Sequence, residues 1–371
     1  MLKVVLSGGP CSGKSTAMAK IKEEITQRKE GFQVFIVPEI ATELSAGGIK
    51  PSEDISGEAF QEAIVDLQIY KENLYLDMIQ KHCDTDKVVL LYDRGLLDQL
   101  AYISREQLEV FLSKHNMTLA DVNNRYDAIL HLVSLAKDNP EKYNEKCKNN
   151  PARTENAEQA ADKDNKTLAG NMNHPHVRVI DNLSDFDGKI QKVLEHICAM
   201  LGVPVPSEIE RKYLIEKPDE ALLESVEFIS KSEIIQTYLR TIENGTERRV
   251  RQRGTEQDGY SFYYTEKTAK SDTERIENER IISMREYVEY LADADPALHQ
   301  VRKTRYCFIY ENQYFELDIY PYSEKYAIVE IELVNEQQEV KLPDFLKIIK
   351  EVTTDSRYKN STIAKEQTID I

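Results

Sequence analysis

Two sets of residues in this 371-residue chain have the types and spacing that phosphate chemistry requires. The first is "GGPCSGKST" at 8–16, where Gly8, Gly13, Lys14 and Ser15 satisfy G-x-x-x-x-G-K-[ST] between an apolar run and a helical one. Glycines let backbone N–H groups curl around phosphate oxygens, and the following helix N-terminus adds positive potential. Lys14 neutralises β- and γ-phosphates, and Ser15, followed by Thr16, ligates Mg²⁺. Cys11 within this loop reads as a small filler. The apolar run "VVLLYDRG" (88–95) ends in Asp93-Arg94, with no Glu after Asp93 as ATP-driven motors have, and no N-K-x-D guanine-reading motif occurs. An Asp-Arg pair suits a small-molecule kinase, the Asp holding Mg²⁺ or accepting a hydroxyl proton and the Arg binding phosphate. Glu39 in "VPEIATE" reads either as a substrate-side carboxylate or as an acidic residue favouring a helix N-terminus.

The second set lies after residue 200. In "SEIERKYLI" (207–215), Glu208, Glu210 and Lys212 alternate with Ile209, Arg211 and Tyr213, so a strand places the charges on one face. Taken alone, that pattern fits a solvated strand face. The alternation recurs, however, with Arg249, Arg251 and Arg253 in "RRVRQRG", and with Arg275, Glu277 and Glu279 in "RIENERI". Lys303 aligns with Arg305, Glu316 with Asp318, and Glu330 with Glu332, while Lys267 ends a further strand. Opposite faces are apolar: Phe315, Leu317 and Ile319, then Val329, Ile331 and Leu333. Some strands carry only arginines there and others only carboxylates. Closed into a barrel, these faces line an interior where Arg and Lys grip a polyphosphate and carboxylates hold Mg²⁺ or Mn²⁺.

The elements that must position these residues differ between the two halves. Up to about residue 200, strand-like runs at 3–8, 32–39, 87–93, 128–134 and 177–182 alternate with helical stretches, which predicts an α/β domain with a parallel sheet covered on both faces. The segment 137–173 is polar and nearly free of core residues. Its composition fits a disordered surface insertion, and its position fits a mobile lid over a nucleotide. "GVPVPS" at 202–207 marks the boundary between domains at 1–202 and 203–371. Beyond it, strand-like runs at 208–215, 226–230, 236–243, 247–253, 260–267, 275–283, 302–310, 313–320 and 326–334 predict an antiparallel sheet or barrel. Helices are expected at 284–294 and near 342–352. His174 and His176, two residues apart, fit either a pair of metal ligands or, as expected here, the turn into the last strand of the first domain.

Composition narrows the partners. A net charge of −17 argues against non-specific nucleic-acid binding, and the 20 tyrosines are not set in a basic stripe. Five scattered cysteines without a C-x-x-C pair fit a reducing compartment, and no apolar run reaches the length of a membrane span, so a cytoplasmic protein is expected.

The set "SGGPCSGKST", "VPEIATEL", "AFQEAIVDLQ", "LLYDRGLLD" and "HPHVRVIDN" resembles the P-loop kinase-like ATPase domains of the ribosylnicotinamide and nucleoside kinase group, over roughly 1–200. The resemblance implies ATP and Mg²⁺ binding through Gly8, Gly13, Lys14, Ser15, Thr16, Asp93 and Arg94, with phosphoryl transfer to a small hydroxyl. Lids in that group present several arginines, whereas 137–173 offers only Arg153. The E-x-E-x-K start, the R-x-R strand before Gly254, the paired E-x-E and the closing "EVTTDSRYKNSTIA" resemble the CYTH superfamily of triphosphate tunnel metalloenzymes, over about 207–371. That family implies an eight-stranded tunnel, a divalent metal and hydrolysis of inorganic triphosphate, thiamine triphosphate or a related chain. Carried over, Glu208, Glu210, Glu330 and Glu332 hold metal with Asp318 assisting, while Lys212, Arg249, Arg251, Lys267 and Arg305 clamp phosphates. Arg253, Glu277, Glu279, Lys303 and Glu316 are secondary members. Glu208, Glu210 and Lys212 would then act on the water attacking the terminal phosphorus. Two other expectations share these residues: a nucleotide-gated binding module for an inositol phosphate or phosphoinositide headgroup, and an adenylyl cyclase.

Overall fold

A computed structural model describes residues 1–28, 31–148, 155–182, 186–201, 209–241, 246–269, 275–311, 313–333 and 338–369. The chain divides into two compact units, Met1–Leu201 and Gly202–Ile371. No helix among the described residues is long and apolar enough to cross a membrane.

The first unit is built on β1 (Leu2–Ser7), β2 (Gln33–Val37), β3 (Val88–Asp93), β4 (Ala128–Leu132) and β5 (Val177–Ile180), ordered β2-β3-β1-β4-β5 with every pairing parallel. These strands are near-continuous apolar runs because both sheet faces are covered. Val4, Leu6, Leu91 and Leu130 pack under the helices Lys14–Arg28 and Phe186–Met200 through Met18, Ile21, Val193 and Ile197. Register pairs Leu6 with Asp93 and Ser7 with His131, so the carboxyl ends of three adjacent strands converge beneath the glycine loop. That end of an open parallel sheet is where ligands bind.

The polar segment 137–173 is not a loose insertion where it is described. It carries the helices Pro140–Lys148 and Ala157–Asn171, and the second buries Ala160, Asp164, Thr167, Leu168 and Asn171. An Asn156–Gln159 capping box closes its N-terminus.

The second unit is antiparallel: β6 (Ile209–Glu216), β7 (Ser230–Tyr238), β8 (Thr246–Thr255), β9 (Gly259–Ala269), β10 (Arg275–Ile282), β11 (Val301–Tyr310), β12 (Gln313–Ile319), β13 (Tyr326–Leu333) and β14 (Ile348–Glu351). Their order is β10-β9-β8-β7-β11-β12-β13-β6-β14. Strands β6 to β13 are the eight expected of a tunnel, and β14 adds a ninth. The helix expected near 342–352 is therefore a strand over Ile348–Glu351, paired with β6. The strand expected at 226–230 is a turn whose Val226 and Ile229 pack under the sheet. Tyr213, Phe308, Phe315, Leu317, Val329 and Ile331 form the outer apolar core. The helix Met284–Leu291 covers Val250, Phe262 and Tyr264 with Tyr287 and Tyr290. The opposite face is charged yet buried, with Asp318 0%, Arg253 4% and Arg305 6% exposed. It is the inner face.

Candidate functional site

The glycine loop joins β1 to the helix Lys14–Arg28. Gly8 takes φ +135°, and a Cβ there would lie 2.2 Å from the Leu132 carbonyl oxygen, so only glycine fits. Lys14 Nζ donates to the carbonyls of Gly8 (2.8 Å) and Gly9 (3.3 Å), curled over the concavity that a phosphate would enter. Burial, together with the Arg94 charge, lowers its pKa to about 8. Ser15 and Thr16 are exposed at the mouth. Arg153 lies outside the described residues.

Asp93 and Arg94 end β3. Burial raises the Asp93 pKa, helped by Glu39 and opposed by Lys14. Its Oδ1 is buried without a hydrogen-bond partner among the described residues, and such a hard oxygen beside the loop fits the chemistry of Mg²⁺. Arg94, at φ +78°, donates Nε to Glu39 Oε1 at 2.6 Å and Nη1 to the Gly8 carbonyl at 3.2 Å. Burial would raise the Glu39 pKa, but the Arg94 charge and hydrogen bonds from Thr42 and Arg94 bring it down to about 2. A carboxylate so weakly basic makes a poor general base, so Asp93 is the better proton acceptor of the two.

Behind the loop lies a buried polar cluster that sequence reasoning missed. Ser7 Oγ donates to Asp98 Oδ1 (2.8 Å), and Asn171 Nδ2 donates to the same oxygen (2.6 Å). His131 lies between Ser7 Oγ (3.5 Å) and Asp164 Oδ1 (3.3 Å). Asp164 Oδ1 accepts the N–H of Gly9 (2.6 Å) and of Ser134 (3.1 Å). Burial pushes the Asp164 pKa up, but the nearby His131 and the Gly9 hydrogen bond hold it below the ordinary value. A Cβ on Gly9 would meet the Asp164 Cβ at 2.8 Å, so the loop is seated directly on the helix Ala157–Asn171. The one available signal was the Asn156–Gln159 cap, which announces a real helix inside a polar stretch.

The second unit gathers the other set. Asp318 binds Lys303 Nζ (2.5 Å) and the Arg305 guanidinium through Nε and Nη2 (both 2.6 Å). Arg305 also contacts Glu316 and, across β12, Glu330 (3.2 Å). Lys212 Nζ lies 2.8 Å from Glu330 and 3.1 Å from Glu210. Arg251 reaches over β9 to both oxygens of Glu279 at 2.9 Å, and Thr265 donates to Glu279 at 2.7 Å. Burial opposes ionisation of Glu330, yet Lys212, Lys303 and Arg305 drive its pKa well below the ordinary carboxylate range. Burial and the adjacent Arg305 lower the Lys303 pKa.

Arg249 and Lys267 are half-buried on the same face, opposite Thr265 and Glu247 respectively. Glu332 is exposed and stands directly opposite Glu210. Glu208 and the side chain of Glu277 lie outside the described residues. Like charges directly opposed destabilise a ladder, and this sheet opposes Glu210 to Glu332 and Glu316 to Glu330. Such oxygen-only pairs match the donors that Mg²⁺ and Mn²⁺ take. Among the described residues no three His, Cys, Asp or Glu side chains converge into a ready metal site, because lysines and arginines occupy the carboxylates instead.

Residues 3–187 match the family model of an AAA domain, and residues 206–365 that of a CYTH domain. The chain joins an AAA domain to a CYTH domain. The AAA match accounts for the glycine loop and the parallel sheet, and the CYTH match for the charged inner face. Two crystal structures of the protein NE1496 are similar to the chain. One, described as a hypothetical protein, is 30% identical, with 43% of this chain and 99% of that one covered and a TM-score of 0.31. The other, described as the inorganic triphosphatase NE1496, is 29% identical, with 44% and 97% covered and a TM-score of 0.30. The PH1819 protein from Pyrococcus horikoshii OT3 is 21% identical, with 35% and 80% covered and a TM-score of 0.27. No curated protein matches the chain.

Proposed function

We propose that the CYTH domain is a metal-dependent hydrolase of linear inorganic tri- and polyphosphate, and that the AAA domain binds Mg·ATP as a P-loop kinase or ATPase. The observation that carries the first reading is the buried lattice in which Lys212, Lys303 and Arg305 share Glu330, Asp318 and Glu316. Such a lattice is poised for exchange. A polyphosphate offers the cations new oxygen partners, and each carboxylate they release becomes a ligand or a base.

Glu210, Glu330 and Glu332, with Glu208 and with Asp318 assisting, would hold Mg²⁺ or Mn²⁺, which supplies charge neutralisation and an acidified water when bound. Arg305, Arg251, Arg249, Lys267 and Lys212 grip the non-bridging oxygens. Arg305 and Lys212 then oppose the negative charge that builds on the leaving oxygens. Glu210, 40% exposed at the side chain, is the carboxylate open to an entering water. In the AAA domain, Gly8, Gly13 and Lys14 hold the phosphates, and Ser15 and Asp93 hold Mg²⁺. Arg94 sets the loop backbone through Gly8.

The full-length protein should release phosphate from tripolyphosphate, thiamine triphosphate or pyrophosphate with Mg²⁺ or Mn²⁺. Glu210→Gln combined with Glu330→Gln should abolish that release, while Lys14→Ala should abolish only ATP binding to the AAA domain. Undiminished release by the double variant overturns the assignment. Binding of these anions without turnover would favour a binding module instead.

A further inference from the structure

Strand β8 presents Arg249, Arg251 and Arg253 on the inner face at intervals of about 7 Å. Lys212, Arg251, Lys303 and Arg305 each hold a carboxylate. Arg253 holds none. Its side chain is 4% exposed, and among the described residues its Nε has no partner and its one hydrogen bond runs from Nη2 to the Cys307 Sγ at 3.8 Å. Cys307 is fully buried, and burial keeps its thiol protonated despite the arginine, so no thiolate balances the charge. Ser232, 3% exposed, stands opposite Arg305 and two residues from Ile234, which pairs with Arg253. Directly opposed residues share a sheet face, so the Ser232 hydroxyl points to the same interior, and it too has no partner among the described residues. A buried cation that no carboxylate touches is costly, and a neutral residue would pack there without that cost. The arginine makes sense where an anion arrives.

We propose that Arg253, with the Ser232 hydroxyl and the Cys307 thiol, binds one further phosphoryl group, so that the CYTH domain prefers linear polyphosphates of four or more units to tripolyphosphate. Lengthening such a chain by one internal unit adds one negative charge, which one guanidinium matches. The inference rests on the polyphosphate reading of this domain and names the subsite that sets chain length.

The test is calorimetry on the full-length protein in EDTA, with tripolyphosphate and tetrapolyphosphate, paired with kcat/KM for both in Mg²⁺. The wild type should favour tetrapolyphosphate by about tenfold or more, as expected for a buried charge-assisted contact. Arg253→Gln should remove most of that preference, and Arg253→Lys should restore part of it. Ser232→Ala should lower it less, and it serves if Arg253→Gln does not fold. A wild type without length preference, or an Arg253→Gln variant that weakens both anions equally, overturns the proposal. Length-dependent binding without hydrolysis would sink the hydrolase reading and leave this subsite standing. Hydrolysis without length preference would do the reverse.

Discussion

Arg305 and Asp318 face each other across β11 and β12 as a bidentate pair, with Nε–Oδ1 and Nη2–Oδ2 both 2.6 Å, and Lys303 shares the same carboxylate. Asp318 is 0% exposed, so it is the internal counter-ion that keeps two buried cations in place. Its first duty is to the fold.

Asp318→Asn should therefore destabilise the CYTH domain by roughly 3–5 kcal/mol, because it strips charge from a buried ion cluster. Urea melts of the variant should show the loss. Adding tripolyphosphate should recover more stability in the variant than in the wild type, since the anion replaces the missing charge. An unchanged midpoint would mean that the cluster is spread over other acids.

Glu39 gives a pH-dependent contribution. Its pKa falls from 4.5 to about 2 on folding, so the stability it adds is present above pH 4.5 and is lost as pH drops through about 2. The stability gap between wild type and Glu39→Gln, from urea melts at several pH values, should narrow across that window. A constant gap would show that packing of the side chain, not its charge, matters.

Nucleotide affinity should depend on Lys14. With a pKa of about 8 in the free protein, Lys14 must regain its proton to meet the phosphates above that pH. Affinity for Mg·ATP should then weaken by up to about tenfold per pH unit above pH 8, with proton uptake visible in calorimetry across buffers of different ionisation enthalpy. Affinity that stays level from pH 7 to 9.5 would contradict the assignment.

Asp164→Ala should weaken ATP binding by about tenfold or more while leaving the far-UV spectrum intact, because Asp164 supports the loop through the Gly9 amide. Asp164→Asn, which keeps the acceptor oxygen, should lose much less. Equal losses in both variants would point to the charge beside His131.

Much of this architecture is legible in residue order. On β12, Phe315, Leu317 and Ile319 alternate with Glu316 and Asp318, and a two-residue period fixes which set turns inward. Glycine-loop spacing is equally local. The failures have physical causes. "LPDFLKIIKEV" carries apolar residues at helical spacing, but Pro343 and pairing with the β6 edge draw its end into a strand. The helix Ala157–Asn171 was hidden because its inner face includes Asp164, Thr167 and Asn171, which are buried by hydrogen bonding and leave no hydrophobic trace. Arg253 reads like its neighbours Arg249 and Arg251. Only the arrangement of carboxylates shows that it stands apart.

Gly9 sits in a loop that must open its amides to an incoming anion, yet its own amide is already committed backwards, to Asp164 at 2.6 Å in the protein interior. That proton is shielded by the fold and not by the ligand. In deuterium it should exchange slowly even in the nucleotide-free protein, while its neighbours wait on occupancy. The loop thus has a fixed pivot and a responsive rim within two or three peptide units, and the polar helix that looked dispensable is what pins the pivot.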